Sequence, residues 1–227
     1  METQAGSSGA ERRTPLSRER VLLVAIDVAD RDGLDGLSMR RRGPELGGDA
    51  MALYRHVRNK DDLLDGIVDV IVGQIERVGP SDDWKGSLRD QVMIARRLML
   101  RHPWARHVIE ERGTAGVAMI GYVETILTIL RGGGFSLDLA HHSLHVLGSR
   151  ILGFSQDLFE DSPSEPPSPE TAEVLARVIA THPNVAELAG SVSHDGVLGA
   201  CDDDVEFAFG LDLILDGLER RRAAQQG

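Results

Sequence analysis

The side chains best suited to binding an anion lie in residues 38–60, where six basic residues accompany two acidic ones. Arginine and lysine at this density can neutralise phosphate groups. The charge of the whole chain supports the idea, because residues 1–60 carry a net charge of +2 whereas residues 61–227 carry −13. We therefore expect a small segment that contacts an anion, attached to a larger acidic body that does not.

The cluster His141-His142-x-x-His145 is a second candidate for chemistry. His141 and His145 are four residues apart, so they share a helix face and can bind a metal. No nearby glutamate completes a zincin-like motif, so partly exposed or interface histidines are the favoured interpretation. The single cysteine, Cys201, excludes an intrachain disulfide and a cysteine-based zinc site. We therefore predict no metal and no cofactor.

An enzyme would need a nucleophile–base pair or a phosphate-binding loop. Gly132-Gly133-Gly134 lacks the Lys-Ser/Thr that follows the glycines of such a loop and is interpreted as a helix terminator. We therefore predict that the protein is not an enzyme.

Helices are expected to position all of these residues. The chain is 41% hydrophobic but only 4% aromatic, and its apolar residues are mostly Leu, Val, Ile and Ala, which favours packed helices over sheets. No alternating pattern of useful length predicts a strand. The predicted fold class is therefore all-α.

The N-terminal part is predicted to be a disordered tail at residues 1–16 followed by three helices. Caps and apolar spacing place these helices at residues 17–32, 38–46 and 50–56. Their lengths, with a short turn between the second and third, are typical of a helix-turn-helix, in which the third helix enters the major groove of DNA. We assign residues 17–60 to this domain.

Residues 61–222 are predicted to form a larger helical domain. A long helix capped by Asn59 is expected to run to Gly79-Pro80 and to join the two domains. Further amphipathic helices are expected where apolar stripes begin at Leu88, Val117, Ala140 and Phe207. Residues 160–169 contain four prolines and are interpreted as a loop, followed by a shorter helix at about 170–180.

Several stretches resemble the TetR family of transcriptional regulators. The N-terminal resemblance rests on Leu34-Asp35-Gly36-Leu37-Ser38-Met39-Arg40 and on the run from Ala50 to Leu64, which contains Leu-Tyr-x-His-Val-x-Asn-Lys. In the body, Trp84, Arg101-His102-Pro103, Gly134-Phe135 and residues 209–219 resemble the C-terminal domain of tetracycline-repressor-like members. The resemblance covers nearly the whole chain except the tail.

The resemblance implies a set of residues that contact double-stranded DNA. Phosphate contacts would come from Arg40, Arg41, Tyr54, His56 and Lys60. Base-reading positions correspond to Ala50, Met51, Ala52 and Arg55. Of these, only Arg55 can make a bidentate contact to guanine.

The predicted second helix departs from the family pattern at Arg42-Gly43-Pro44. A proline inside a helix costs about 3 kcal/mol and a glycine about 1 kcal/mol relative to alanine. One interpretation is a helix that bends or ends early, with Arg42 as an extra phosphate contact. The other is a poorly ordered domain, which would leave a small-molecule-binding helical dimer with weakened or lost DNA binding.

The body is expected to bind a small-molecule effector and to form a homodimer that recognises a palindromic operator. Candidate effector-binding residues on the appropriate helices are Met93, Arg97, Trp104, His107, Tyr122 and His145. Candidate dimer-interface residues at helical spacing are Ala140, Leu144, Leu147, Ile151, Phe207, Leu211, Ile214 and Leu218. The resemblance implies repression that the effector relieves.

The cellular location is predicted from what the sequence lacks. The N-terminal residues have no apolar signal region, and no stretch approaches the length of a membrane span. We therefore expect a cytoplasmic protein with no membrane partner.

Overall fold

The computed structural model describes residues 17–37, 56–113, 116–152, 168–184, 186–187 and 203–226. Within these ranges the regular structure is helical, which confirms the predicted all-α class. The helices are α1 (Arg18–Asp32), α2 (Lys60–Gly73), α3 (Trp84–Arg101), α4 (Pro103–Arg112), α5 (Val117–Gly132), α6 (Leu137–Leu152), α7 (Pro169–Thr181) and α8 (Asp203–Gln226), with a 3-10 turn at Leu34–Leu37. The predicted second and third helices lie outside the described residues, except for His56, which is in a turn.

Two helix starts are set by the caps that the sequence predicts. The Ser17 hydroxyl accepts a hydrogen bond of 3.2 Å from the amide of Arg20 at the start of α1. The Asn59 side chain accepts one of 2.8 Å from the amide of Asp62 at the start of α2. Each side chain satisfies an amide that has no partner within its helix.

Helix α2 ends at Gly73, so the expectation that it runs to Gly79-Pro80 is wrong. The buried amide side chain of Gln91 accepts a hydrogen bond of 2.8 Å from the amide of Val78 and donates one of 3.2 Å to the carbonyl of Glu76. These bonds replace the ones that a continuing helix would make. Gln91 lies 13 residues beyond Val78, so no local pattern predicts this end.

The described chain forms two compact units. The first contains the described residues up to Gly79 together with Asp90–Thr128, and the second contains Pro80–Arg89 together with the described residues from Ile129 onward. This division differs from the predicted domains at 17–60 and 61–222, which stay a prediction about function.

The first unit has a core between α1, α2 and α4. Helix α1 packs against both of the other helices, and α2 also packs against α4. The buried residues of this core include Val21, Ile26, Leu63, Ile67, Ile71, Trp104 and Val108. The helix that carries Lys60 is therefore held from two sides.

The second unit is organised around Phe135 and the packing of α6 on α8. The ring of Phe135 meets Trp84 edge to face, with 4.7 Å between ring centroids. A side chain at Gly133 would bring its Cβ within 2.7 Å of Trp84, so this turn needs a residue without one. Helix α5 ends at Gly132, which confirms the triple glycine as a terminator.

No individual helix in the described part of the chain is both long and apolar enough to cross a membrane. The bent pair formed by α4 and α5 reaches the required length and composition only when the two helices are taken together.

Candidate functional site

The start of α2 is fixed to the start of α1 through Asp62. Arg18 donates to both carboxylate oxygens of Asp62 at 3.0 Å and to the carbonyl of His56 at 2.8 Å. The amide of Arg58 donates to the same carboxylate at 2.8 Å. The hydrogen bonds from Arg18 are the main reason why the pKa of Asp62 lies well below its ordinary value, and they raise the pKa of Arg18. These bonds hold residues 56–62 in one conformation.

Two of the nine predicted DNA-contacting residues lie in this fixed segment. His56 is half-buried in a turn, and Lys60 is exposed as the first residue of α2. The other predicted contacts lie outside the described residues, as does Arg42-Gly43-Pro44; they are Arg40, Arg41, Ala50, Met51, Ala52, Tyr54 and Arg55.

Three carboxylates at a spacing of four residues, Asp61, Asp65 and Asp69, form a stripe along α2 that we call the acidic stripe. Arg112, the last residue of α4, lies 2.9 Å from Asp61 and donates to Asp65 at 3.0 Å. Asp69 accepts a hydrogen bond of 2.8 Å from the amide of Ala118, near the start of α5. The bonds to Asp65 are the largest cause of the raised pKa of Arg112. The acidic stripe therefore attaches α2 to the end of α4 and to the beginning of α5.

The opposite end of α4 is attached to α1 by Asp30. One carboxylate oxygen of Asp30 accepts a hydrogen bond of 2.7 Å from the indole nitrogen of Trp104 and lies 2.8 Å from Nδ1 of His102. Trp104 is buried in the core of the first unit. The indole nitrogen, the only polar atom of the Trp104 side chain, is therefore used in a contact between α4 and α1.

Tyr122, on α5, has a buried hydroxyl group without a hydrogen-bond partner among the described residues. The guanidinium of Arg77 lies 5.7 Å from the ring centroid and donates a hydrogen bond of 3.1 Å to the carbonyl of Ala118. Burial raises the pKa of Tyr122, so the phenol stays protonated and can donate. A buried hydroxyl without a partner costs about 1–3 kcal/mol, which marks this atom as a candidate contact for a bound molecule.

The remaining candidate effector residues have differing exposures. Met93 is half-buried, whereas Arg97 is exposed. His107 is exposed and lies 3.3 Å from Glu111, one turn further along α4. His145 is exposed on α6, in the second unit. Tyr122 is the member of the predicted set whose surroundings most directly indicate a missing polar partner.

The residues predicted to form the dimer interface lie largely within the core of a single copy. Five of the eight are buried there, namely Ala140, Leu147, Phe207, Leu211 and Leu218. Leu144, Ile151 and Ile214 are half-buried. The guanidinium of Arg150 stacks over Phe207 at 4.7 Å from the ring centroid. The α6–α8 packing within one copy thus already uses most of this apolar set.

Helix α8 carries a second apolar face on its opposite side. Val205, Phe209 and Leu213 are spaced by four residues and are 60%, 62% and 55% exposed. A helix that is apolar on both sides is usually buried on both sides. The exposed face is therefore the one available to a partner.

The sequence contains a signal for some of these contacts but not for others. The spacing of four between Asp61, Asp65 and Asp69 places them on one side of a helix, and this pattern could have revealed the acidic stripe. The pairing of Asp30 with Trp104 spans 74 residues, and no local pattern indicates it.

Comparison with known proteins gives consistent matches along the chain. The family model described as "Tetracyclin repressor-like, C-terminal domain" matches residues 79–222. The HTH-type transcriptional repressor DrrR1 of Streptomyces coeruleorubidus is 30% identical over 224 residues, covering 93% of this chain and 80% of that protein. Apo ActR from Streptomyces coelicolor has a similar structure, with a TM-score of 0.75 at 26% identity over 93% of this chain and 99% of that chain. ActR in complex with actinorhodin gives a TM-score of 0.71 at 28% identity over 92% of this chain and 99% of that chain.

Proposed function

Because this chain belongs to the TetR family of transcriptional regulators, we propose that it is a repressor whose homodimer binds a palindromic operator and releases it when a small molecule binds. The matched proteins support this proposal, since DrrR1 is a transcriptional repressor and ActR has been solved with actinorhodin. These relatives are regulators, so we assign the chain no enzymatic activity.

DNA binding is proposed to use the N-terminal basic residues. Phosphate contacts would come from Arg40, Arg41, Tyr54, His56 and Lys60, and base contacts from Ala50, Met51, Ala52 and Arg55. The observation that supports this assignment is the anchoring of residues 56–62 by Arg18 and Asp62, which fixes the backbone just before the exposed Lys60. A fixed backbone lowers the entropic cost of binding DNA.

We propose that the acidic stripe couples effector binding to the position of α2. Asp65 bonds to the end of α4 and Asp69 to the beginning of α5, so a displacement of either helix is transmitted to α2. Helix α2 begins at Lys60, beside the proposed DNA contacts. A ligand that shifts α5 would therefore change the position of Lys60, and a coupling of about 1–3 kcal/mol is enough to release DNA.

Replacing Arg112 with glutamine is expected to loosen α2 from α4. The variant loses the charged bonds to Asp61 and Asp65, and hydrogen bonds to charged groups contribute about 1.5–3 kcal/mol each. Because Arg112 is partly exposed, these bonds contribute less than that full value. We therefore expect amide hydrogens in the first half of α2 to exchange about tenfold faster, as measured by hydrogen–deuterium exchange mass spectrometry. Arg101→Gln, at an exposed position on α3, serves as the matched control. Unchanged exchange in Arg112→Gln would contradict the proposed attachment.

The effector is proposed to carry a hydrogen-bond acceptor that meets the Tyr122 hydroxyl. This is the one candidate whose buried polar atom lacks a partner among the described residues. Met93, Arg97, Trp104 and His107, which lie in the same unit as Tyr122, remain proposed neighbours of the effector. Actinorhodin is the first probe to use, since a related protein of known structure binds it.

Tyr122→Phe is expected to weaken effector binding without lowering the stability of the free protein. Loss of the hydroxyl should weaken binding of the probe about tenfold, because one hydrogen bond in a buried site is lost. The same change removes an unsatisfied buried group, so the free protein should be as stable as the wild type or slightly more stable. Isothermal titration calorimetry measures the first effect and thermal unfolding the second.

A stability loss in Tyr122→Phe would show that the hydroxyl has a partner within the protein. Leu127→Met, a volume-conserving change on the same helix, provides the control for general repacking. It should leave both binding and stability nearly unchanged.

Homodimer formation is proposed to use the exposed face of α8. Exposed apolar residues that occur singly are common on protein surfaces, but Val205, Phe209 and Leu213 form a continuous stripe. A two-fold dimer places the same stripe of each copy against the other. It also presents two copies of the N-terminal basic segment, which matches a palindromic site.

The proposal as a whole is tested by selecting duplexes from a random library with the full-length protein. We expect enrichment of an inverted repeat whose half-sites are about one helical turn apart or a multiple of it. Enrichment of no sequence, together with binding of actinorhodin, would instead support the alternative of a ligand-binding dimer that has lost DNA binding because of Arg42-Gly43-Pro44.

A further inference from the structure

Two imidazoles on α6 meet on the exposed side of the helix. The rings of His141 and His145 have centroids 4.7 Å apart and an interplanar angle of 78°. Both side chains are exposed. The buried residues of the helix, Leu139, Ser143 and Leu147 among them, lie on its other side, so the pair is open to solvent in one copy of the chain.

The separation of the two rings matches that of a chelating pair. With a zinc–nitrogen bond of about 2.0–2.1 Å and a ring centroid about 1.2 Å behind the nitrogen, each centroid lies about 3.2 Å from a bound ion. Two such rings have centroids about 5.2 Å apart at the angle of a tetrahedral ion and about 4.5 Å apart at the 90° of a square or octahedral ion. The distance in this structure falls in that range, whereas His141 and His142 are 5.7 Å apart.

Two other histidines of the chain differ from this pair because each lies near a carboxylate. His142 lies 3.8 Å from Asp138, and His107 lies 3.3 Å from Glu111. Among the described residues, the imidazoles of His141 and His145 show ring contacts with other histidines but no hydrogen bond or ion pair. The hydroxyl of Ser149 donates to the backbone carbonyl of His145 and does not involve its ring. Metal binding at this pair would therefore break no existing polar contact.

The sequence alone favours no metal at these histidines, but on the ring geometry we propose that His141 and His145 together bind one divalent transition-metal ion, of the class that includes Zn²⁺, Ni²⁺ and Cu²⁺. Imidazole nitrogen is a preferred ligand for these ions, and two imidazoles one turn apart hold the ion in a bidentate manner. The described residues contain no cluster of three or more metal-ligating side chains, so the remaining positions are filled from outside the chain. Water fills them in a site that belongs to one chain, and a second histidine pair fills them in a site that two copies share.

Calorimetric titration of the full-length, untagged protein with NiCl₂ and ZnCl₂, after removal of bound metal with EDTA, tests this site. We expect saturable binding that weakens at least about tenfold in His141→Ala and in His145→Ala. His142→Ala is the matched control, because it removes an exposed histidine from the same helix turn, and it should bind within about twofold of the wild type. All three positions are exposed, so circular dichroism without metal should be identical for the four proteins.

Stoichiometry distinguishes the two sources of the remaining ligands. One ion per chain assigns them to water, and one ion per two chains assigns them to a second copy. Either value supports the histidine pair if the His141 and His145 variants lose the binding. The proposal is overturned if the wild type shows no saturable binding, or if His142→Ala loses as much affinity as His141→Ala. If His142→Ala loses as much affinity as His141→Ala, the contact between His141 and His145 is edge-to-face packing and does not form a metal site.

Discussion

Phe209→Glu is expected to convert the proposed dimer into a monomer and to weaken binding to the proposed operator at least about a hundredfold. Phe209 lies at the centre of the exposed apolar stripe of α8 and is 62% exposed in one copy. The interface would have to bury two like charges, one from each copy, without partners, and such groups are costly to desolvate. A monomer binds one half-site at a time and loses the gain in effective concentration that two linked sites provide.

Sedimentation velocity measures the change in mass, and fluorescence anisotropy with the selected duplex measures the affinity. Val174→Glu is the matched control because Val174 is also an exposed apolar residue, at 53%, and lies on a different helix, α7. We expect this control to stay dimeric and to bind DNA normally. A dimeric Phe209→Glu protein would place the interface elsewhere and would contradict the use of this face.

Replacing Asp62 with asparagine is expected to lower the free energy of unfolding by about 2 kcal/mol at neutral pH. The carboxylate accepts two hydrogen bonds from Arg18 and one from the amide of Arg58, and its side chain is only 11% exposed. Hydrogen bonds to charged groups contribute about 1.5–3 kcal/mol, and the exposure of Arg18 reduces that contribution. For a chain of this size the loss corresponds to a fall in Tm of about 4–8 °C.

The same variant should reveal the pH dependence of this contact. Because its pKa is depressed in the folded protein, Asp62 stabilises the fold above its unfolded pKa of about 3.9, and this stabilisation is lost as pH falls towards the folded value. The difference in stability between the wild type and Asp62→Asn should therefore shrink below about pH 4. Asp90→Asn, at an exposed position on α3, is the control. A difference that stays constant down to pH 2.5 would contradict the assignment of the stabilisation to an ionised Asp62.

Local signals in the sequence were sufficient to predict where several helices begin and end. Ser17 and Asn59 cap their helices as predicted, because a cap depends only on a side chain and an amide three residues later. The triple glycine likewise ends α5. These features depend on short stretches of chain, which is why they can be predicted without a structure.

The features that the sequence does not predict depend on contacts between residues far apart in the chain. Gln91 bonds the backbone just beyond the end of α2, and Asp30 accepts a hydrogen bond from the indole N–H of Trp104, although neither pair is related by any helical period. Its position on a helix predicts Trp104 as an effector contact, and the structure adds that its indole nitrogen links α4 to α1.

Helix α8 has two faces that could each be buried. Both of its sides are apolar, so the sequence alone cannot decide which side faces the interior. The helical spacing predicts Phe207 and Leu211 as interface residues, whereas the structure buries them within one copy and leaves Phe209 and Leu213 exposed. Only the packing of α6 on α8 distinguishes the two sides.

The most direct test of the account is fluorescence anisotropy of the full-length protein with the selected duplex and with a scrambled duplex, across a salt series. We expect a preference of about a thousandfold or more for the selected duplex and a steep loss of affinity with salt, since phosphate contacts release counterions. Equal, weak binding to both duplexes would contradict it, and would leave a helical dimer that binds a small molecule without reading DNA.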